Sequence, residues 1–138
     1  MMPKPAELRE FAERYTAAWC SGNASSVAAC YSPNGSLTIN TDAPAQGREA
    51  IAVAAQSFMT AFPNLQIFMD DIVMTSDRAV YHWTLTGTNT GPSGTGQPVH
   101  ISGFEVWTIG DDGLIAESRG HFDSADYERQ LQRGITEI

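Results

Sequence analysis

The sequence predicts an α+β domain in which a curved, mixed or antiparallel sheet wraps around three N-terminal helices. Three observations carry that expectation. Up to Phe62 the apolar residues recur mainly at three- and four-residue steps; beyond Pro63-Asn64 they alternate at every second position; and that change of period happens once. A chain of 138 residues has room for one hydrophobic core, so residues 1–138 are read as a single domain.

Pro3 and Pro5 open the first helix, along which Leu8, Phe11, Tyr15, Ala18 and Trp19 form one apolar stripe, and Gly22 stops it. Asn23 or Ser25 caps a short second helix expected to run through Tyr31, after which Pro33, Asn34 and Gly35 turn the chain into a short strand, "SLTIN". Residues 42–47 read as loop. The third helix, "REAIAVAAQSFMTAF", buries Ile51, Ala54 or Ala55, Phe58 and Phe62 and ends at Pro63-Asn64. Strands are expected near residues 65–74, 78–90, 97–109 and 113–123, which are rich in β-branched and aromatic side chains. Short turns at Ser76-Asp77 and in "GDDG" join two of the pairs, and "SADYERQLQRG" forms a short amphipathic end. Helices packed on such a sheet enclose a cone lined by alternate strand residues.

Composition narrows the function. The formal charge of -8, from 8 basic and 16 acidic residues, opposes a phosphate backbone, and no basic stripe offsets it, so nucleic acid is not an expected partner. No apolar run approaches the roughly 18 residues of a membrane span, and "MMPKPAELREF" lacks a signal-peptide core, so no membrane association and a cytoplasmic address are expected. Cys20 and Cys30 form no C-x-x-C motif and read as free buried thiols. His82, His100 and His121 lack metal-ligand spacing, so no metal site is expected. The glycine-rich "GTNTGPSGTGQP" lacks the lysine and the following helix of a phosphate loop and reads as a hairpin connection.

Four stretches, "GREAI", "DRAVYHWTLTGTNTGP", "SGFEVWTIGDDGLIAES" and "FD" followed by "Y" and "RQL", together with the order of elements, resemble the SnoaL-like polyketide cyclase branch of the nuclear transport factor 2 superfamily. The resemblance spans nearly the whole chain. It implies a cystatin-like, cone-shaped α+β barrel, a deep apolar pocket between helices and concave sheet, and a homodimer through the other sheet face. The superfold hosts many chemistries, so function has to come from the pocket residues.

Strand alternation puts Ile101, Gly103, Glu105, Trp107 and Ile109 on one face and His100, Ser102, Phe104, Val106 and Thr108 on the other. Alongside the related ketosteroid isomerases, Glu105 falls at the position of the protonated oxyanion-hole acid and Tyr15 at that of the phenolic donor. An acid desolvated in an apolar cone stays neutral at higher pH and can donate to a substrate oxygen; the isomerase itself is the established case of this effect. The general-base position reads Ile39, beside Asn40, which argues against ketosteroid isomerase activity. The limonene epoxide hydrolase positions read His82, Thr84 and Gly120, which argues against that activity too, and Gly120 also stands where the resemblance implies the cyclase's catalytic aspartate.

His82, placed on the pocket face with Thr84 and Thr86, is the candidate base. Trp19, Leu37, Ile39, Phe58, Phe62, Trp107 and Phe122 are the expected walls, with Ser118 and Thr84 as further lining residues; such walls suit a ligand with an apolar body. His121 and Asp123 are expected on the convex face, serving a dimer surface or tying down the tail. Two readings follow. One is a cofactor-independent cyclase- or isomerase-type enzyme acting on a small apolar carbonyl compound through Glu105, Tyr15 and His82. The other is a non-catalytic small-molecule-binding or scaffold domain of the same fold.

Overall fold

The structure is a computed structural model and describes residues 3–135. Pro5 supplies a preset φ and no N–H at the start of α1 (Pro5–Cys20), while the Glu7 carboxylate accepts the Lys4 backbone N–H at 3.1 Å, so the helix begins where its free donors are met. Gly22, at φ 75°, turns the chain out of it. Asn23 caps α2 (Ala24–Ala28) by accepting the Ser25 N–H at 3.0 Å.

The second helix is shorter than the sequence suggests. Tyr31 already opens β1 (Tyr31–Ile39), and Pro33, Asn34 and Gly35 lie within the strand. Next to its parallel neighbour β6 (Ile115–Phe122), β1 advances from Tyr31 to Ser36 while β6 advances only from Ile115 to Glu117. The turn-forming residues therefore make a bulge and not a helix end. Part of the expected loop, Ala45–Gln46, pairs with β1 as the two-residue β2.

Three further strands complete the sheet after α3 (Arg48–Ala61): β3 (Gln66–Met74), β4 (Ala79–Thr88) and β5 (Pro98–Ile109). The order is β2-β1-β6-β5-β4-β3, antiparallel except between β1 and β6. In β3 the inward set changes from Ile67 and Met69 to Ile72 and Met74, a change of parity that one extra residue must absorb. The register shift between Met69 and Asp71 does so, leaving Asp70 to accept the Thr84 hydroxyl at 2.6 Å.

The stripe of α1 and the inner face of α3 pack on the concave sheet face. Trp107 is fully buried at this junction. It stacks on Tyr81 at 4.9 Å and meets Tyr15 and Phe11 edge-on at 5.1 and 5.6 Å. The terminal helix α4 (Ser124–Arg133) is capped by Asp123, whose carboxylate accepts the Asp126 N–H, and buried Gln130 accepts the His100 N–H at 2.7 Å. Asp123 thus starts α4, and Gln130 is what ties the helix to β5. Cys20 and Cys30 are free thiols but only half-buried; Cys20 Sγ accepts the Ile67 N–H and donates to the Ile67 carbonyl. Among the described residues no helix is long and apolar enough to cross a membrane.

Candidate functional site

The site is a consequence of strand register. Glu105 on β5 lies opposite Tyr81 on β4 and Gly120 on β6, while Ser118 pairs with Trp107. Trp107 and Ser118 therefore flank Glu105 on the same concave face, and Tyr15 comes down on it from α1. A Cβ at Gly120 would sit 3.6 Å from Glu105 Cγ, so the glycine leaves open space beside the carboxyl.

Glu105 is 8% exposed. Its Oε1 accepts hydrogen bonds from Tyr15 OH, Trp107 Nε1 and Ser118 Oγ, each at 2.9 Å. The Tyr15 hydroxyl also bonds Tyr31 OH at 2.9 Å, which extends the network toward β1. With Oε1 taken by three donors, Oε2 is the oxygen left for a proton or a ligand.

Burial pushes the Glu105 carboxyl above its ordinary value, and the bonds from Trp107, Tyr15 and Ser118 pull partly against that rise. Burial first, then the charge of Glu105, raises both Tyr15 and Tyr31 well above the usual phenol range, so both remain protonated donors.

The rise has a consequence for stability. Because the folded state holds this proton more tightly than the unfolded chain, the contribution of neutral Glu105 is complete below the unfolded value near 4.5 and is lost as pH rises through the higher folded value. Urea titrations from pH 4 to 8 should show wild type losing stability relative to Glu105→Gln across that interval. A constant difference between the two would mean that the carboxyl is not desolvated.

Glu105 lines an apolar chamber of about 60 Å³, walled by Trp19, Leu37, Ile39, Phe58 and Phe122 among others. Leu37, Ile39, Phe58, Phe122 and Tyr127 also line an adjoining, wetter vestibule of about 460 Å³ that includes Asp42 and Glu128. Together they offer an apolar recess with a polar mouth.

Several expected lining residues lie elsewhere. His82 and Thr84 are on the opposite face of β4: His82 packs near Phe104 at 6.0 Å, and Thr84 bonds Ser102 and Asp70. The residues of β4 that face the core are Tyr81, Trp83 and Leu85, and the stretch "YHWTL" could have revealed this, because large aromatic or aliphatic residues alternate there with polar ones. His82 therefore cannot reach a substrate beside Glu105.

Tyr15, Trp107 and Ser118 stand behind the carboxyl and not in the chamber wall, and Phe62 is buried against Tyr127 at 6.4 Å, also outside the wall. The reading of the residues had missed Ile67, Tyr81, Trp83, Leu85, Ile101 and Tyr127 as lining. His121 is on the convex face as expected, 5.0 Å from Phe104.

The family model of SnoaL-like polyketide cyclases matches residues 9–131. The chain belongs to this family. Solved structures with the same fold as this SnoaL-like domain include TsrD from Streptomyces laurentii, with a TM-score of 0.80 at 23% identity over 94% of this chain and 97% of that one. A protein with a ketosteroid isomerase-like fold from Catenulispora acidiphila DSM 44928, in complex with trimethylamine, gives 0.78 at 14% identity over 95% and 94%. The phenazine biosynthesis-related protein phzb2 from Pseudomonas aeruginosa gives 0.73 at 15% identity over 96% and 92%. No curated protein matches the chain of this SnoaL-like domain.

Proposed function

We propose that this SnoaL-like domain catalyses cofactor-independent acid–base chemistry on a small apolar carbonyl compound, with Glu105 as the acid. One observation carries the reading: the single carboxyl lining an apolar chamber has one oxygen fixed by three donors, which leaves the other for a proton and a ligand. A neutral carboxyl so placed donates its proton to the carbonyl oxygen while a water entering from the vestibule takes the α-hydrogen; the enol that forms returns by the reverse transfers, which regenerate the Glu105 carboxyl and exchange the α-position with solvent. Tyr15, Trp107 and Ser118 are positioning residues, since they act by holding Oε1.

The test uses 1-tetralone in D₂O, with exchange of its α-hydrogens followed by proton NMR. Exchange well above the buffer rate that depends on Glu105 supports the reading. Exchange at the buffer rate, or a Glu105 carboxyl carbon that titrates near its ordinary value, overturns it.

A second reading has its own observation. Ile39 and Gly120 stand in the chamber wall where related enzymes carry carboxylates, which favours a binding domain that holds such a compound without converting it. That reading predicts saturable binding of 1-tetralone with no exchange.

The convex face supports a homodimer within the same reading. Phe68, Val73 and Phe104 are exposed on the sheet at 50%, 41% and 36%. Light scattering should give twice the chain mass of 14.9 kDa at micromolar concentration, and Phe104→Asp should halve it. A mass of one chain throughout would refute the dimer.

A further inference from the structure

Asn40 borders the mouth of the site with half of its side chain unused. It follows Ile39 at the end of β1 and takes a left-handed backbone, φ 52°, which asparagine tolerates better than most side chains. Two bonds fasten it there: its N–H donates to the Gly120 carbonyl at 2.8 Å, and its Oδ1 accepts the Phe122 N–H at 2.9 Å. Because a backbone N–H needs an acceptor, the second bond also fixes which end of the carboxamide is oxygen.

The other end, Nδ2, carries two N–H donors and has no partner among the described residues. It is not sealed inside the protein either. The one buried side-chain nitrogen or oxygen left without a partner among those residues is Trp83 Nε1, so Nδ2 keeps accessible surface, and the open space that Asn40 borders is the vestibule. By the same comparison Glu105 Oε2 keeps accessible surface, and the space that Glu105 borders is the chamber.

Strand register relates the two groups. Gly120 on β6 is the partner of both Ile39 on β1 and Glu105 on β5. Asn40, next to Ile39, therefore stands two strand spacings from Glu105, roughly 10 Å between backbones. Leu37, Ile39, Phe58, Phe122 and Tyr127 line both spaces, so the passage between the polar groups is mainly apolar.

We infer that the Asn40 carboxamide is a second anchor, and that the ligand carries a neutral acceptor oxygen across its apolar body from the carbonyl that meets Glu105. The inference rests on the Glu105 reading for the first oxygen and adds the second. With Oδ1 held by Phe122, the donors are fixed before the ligand arrives, so little ordering is lost on binding. The acceptor is neutral because Asp42 and Glu128 line the vestibule and no lysine or arginine does, so a carboxylate is repelled there.

The experiment compares 1-tetralone with 6-acetyl-1-tetralone, which has carbonyl oxygens at opposite ends and no hydrogen-bond donor, on ¹⁵N-labelled protein. Any bond at Asn40 then runs from its carboxamide. The Asn40 side-chain resonances, identified by their absence from Asn40→Asp, should move downfield with the diketone and stay in place with 1-tetralone. Asn40→Asp keeps an acceptor for the Phe122 N–H and removes the donor. It should weaken the diketone about threefold to tenfold, the worth of one hydrogen bond, and change 1-tetralone less than about twofold.

Equal responses to both probes, silent Asn40 resonances, equal losses of affinity in Asn40→Asp, or no binding of either probe at millimolar concentration would overturn the inference. Silent Asn40 resonances beside Glu105-dependent exchange of 1-tetralone overturn it alone. Responding resonances with no Glu105-dependent exchange overturn the catalytic reading and leave Asn40 as an anchor in a binding site.

Discussion

Glu105→Gln is expected to lower protein-catalysed α-hydrogen exchange of 1-tetralone by about 10²-fold, the lower end of what a positioned acid supplies. The substitution is chosen for its shape. A glutamine carbonyl can accept the same hydrogen bonds from Tyr15, Trp107 and Ser118, so the network persists while the transferable proton at the second position is lost. Retention of exchange within about threefold would end the acid role of Glu105.

Tyr15→Phe gives a different signature. Its hydroxyl donates to Oε1 and holds the carboxyl down, so removing it should raise the Glu105 value further. Exchange that depends on the neutral acid falls as pH rises through that value. The falling limb of the pH–rate profile should therefore move to higher pH in Tyr15→Phe, a change that loss of folding alone would not produce.

The fold was legible because hydrophobic period reports which face of an element is buried. The change of period at Pro63-Asn64 separates helix-rich from strand-rich chain, and the alternation of Glu105 with Trp107 placed both on the concave face. Two features defeat the same rule. In β3 the extra residue between Met69 and Asp71 reverses the parity, and in β1 the turn-forming Pro33-Asn34-Gly35 sits within a strand as a bulge. Bulges depend on the neighbouring strand, which local pattern does not contain.

The site was legible in part for a related reason. Glu105 follows from strand parity alone, whereas His82 was assigned to the pocket from the polar run His82, Thr84 and Thr86, although the aromatic and aliphatic run of Tyr81, Trp83 and Leu85 carries the stronger reason for burial. Alternation gives a face and says nothing of depth. Tyr15 and Ser118 share the concave side with Glu105, yet they lie behind it, and only the three-dimensional packing of α1 over Trp107 determines that order.

Depth also sets the largest expected loss of stability, that of Glu105→Ala. The substitution removes the acceptor shared by Trp107 Nε1, Ser118 Oγ and Tyr15 OH. A hydroxyl can rotate, and Tyr15 can turn its proton to Tyr31, but the Trp107 N–H is fixed by its ring, which is stacked on Tyr81. At roughly 1–3 kcal/mol for a buried donor left unpaired, the variant should lose about 1–3 kcal/mol in urea denaturation at pH 5 through the Trp107 N–H. Against the roughly 5–15 kcal/mol that holds a domain of this kind folded, that loss is readily measured.

Glu105→Gln, which keeps an acceptor, should stay within about 1 kcal/mol of wild type under the same conditions. Tyr15→Phe supplies the coupling test. It should cost less in the Glu105→Ala background than in wild type, because the bond it removes is already gone. Equal costs in both backgrounds, or an Ala variant as stable as the Gln variant, would mean that the carboxyl is not what organises these donors.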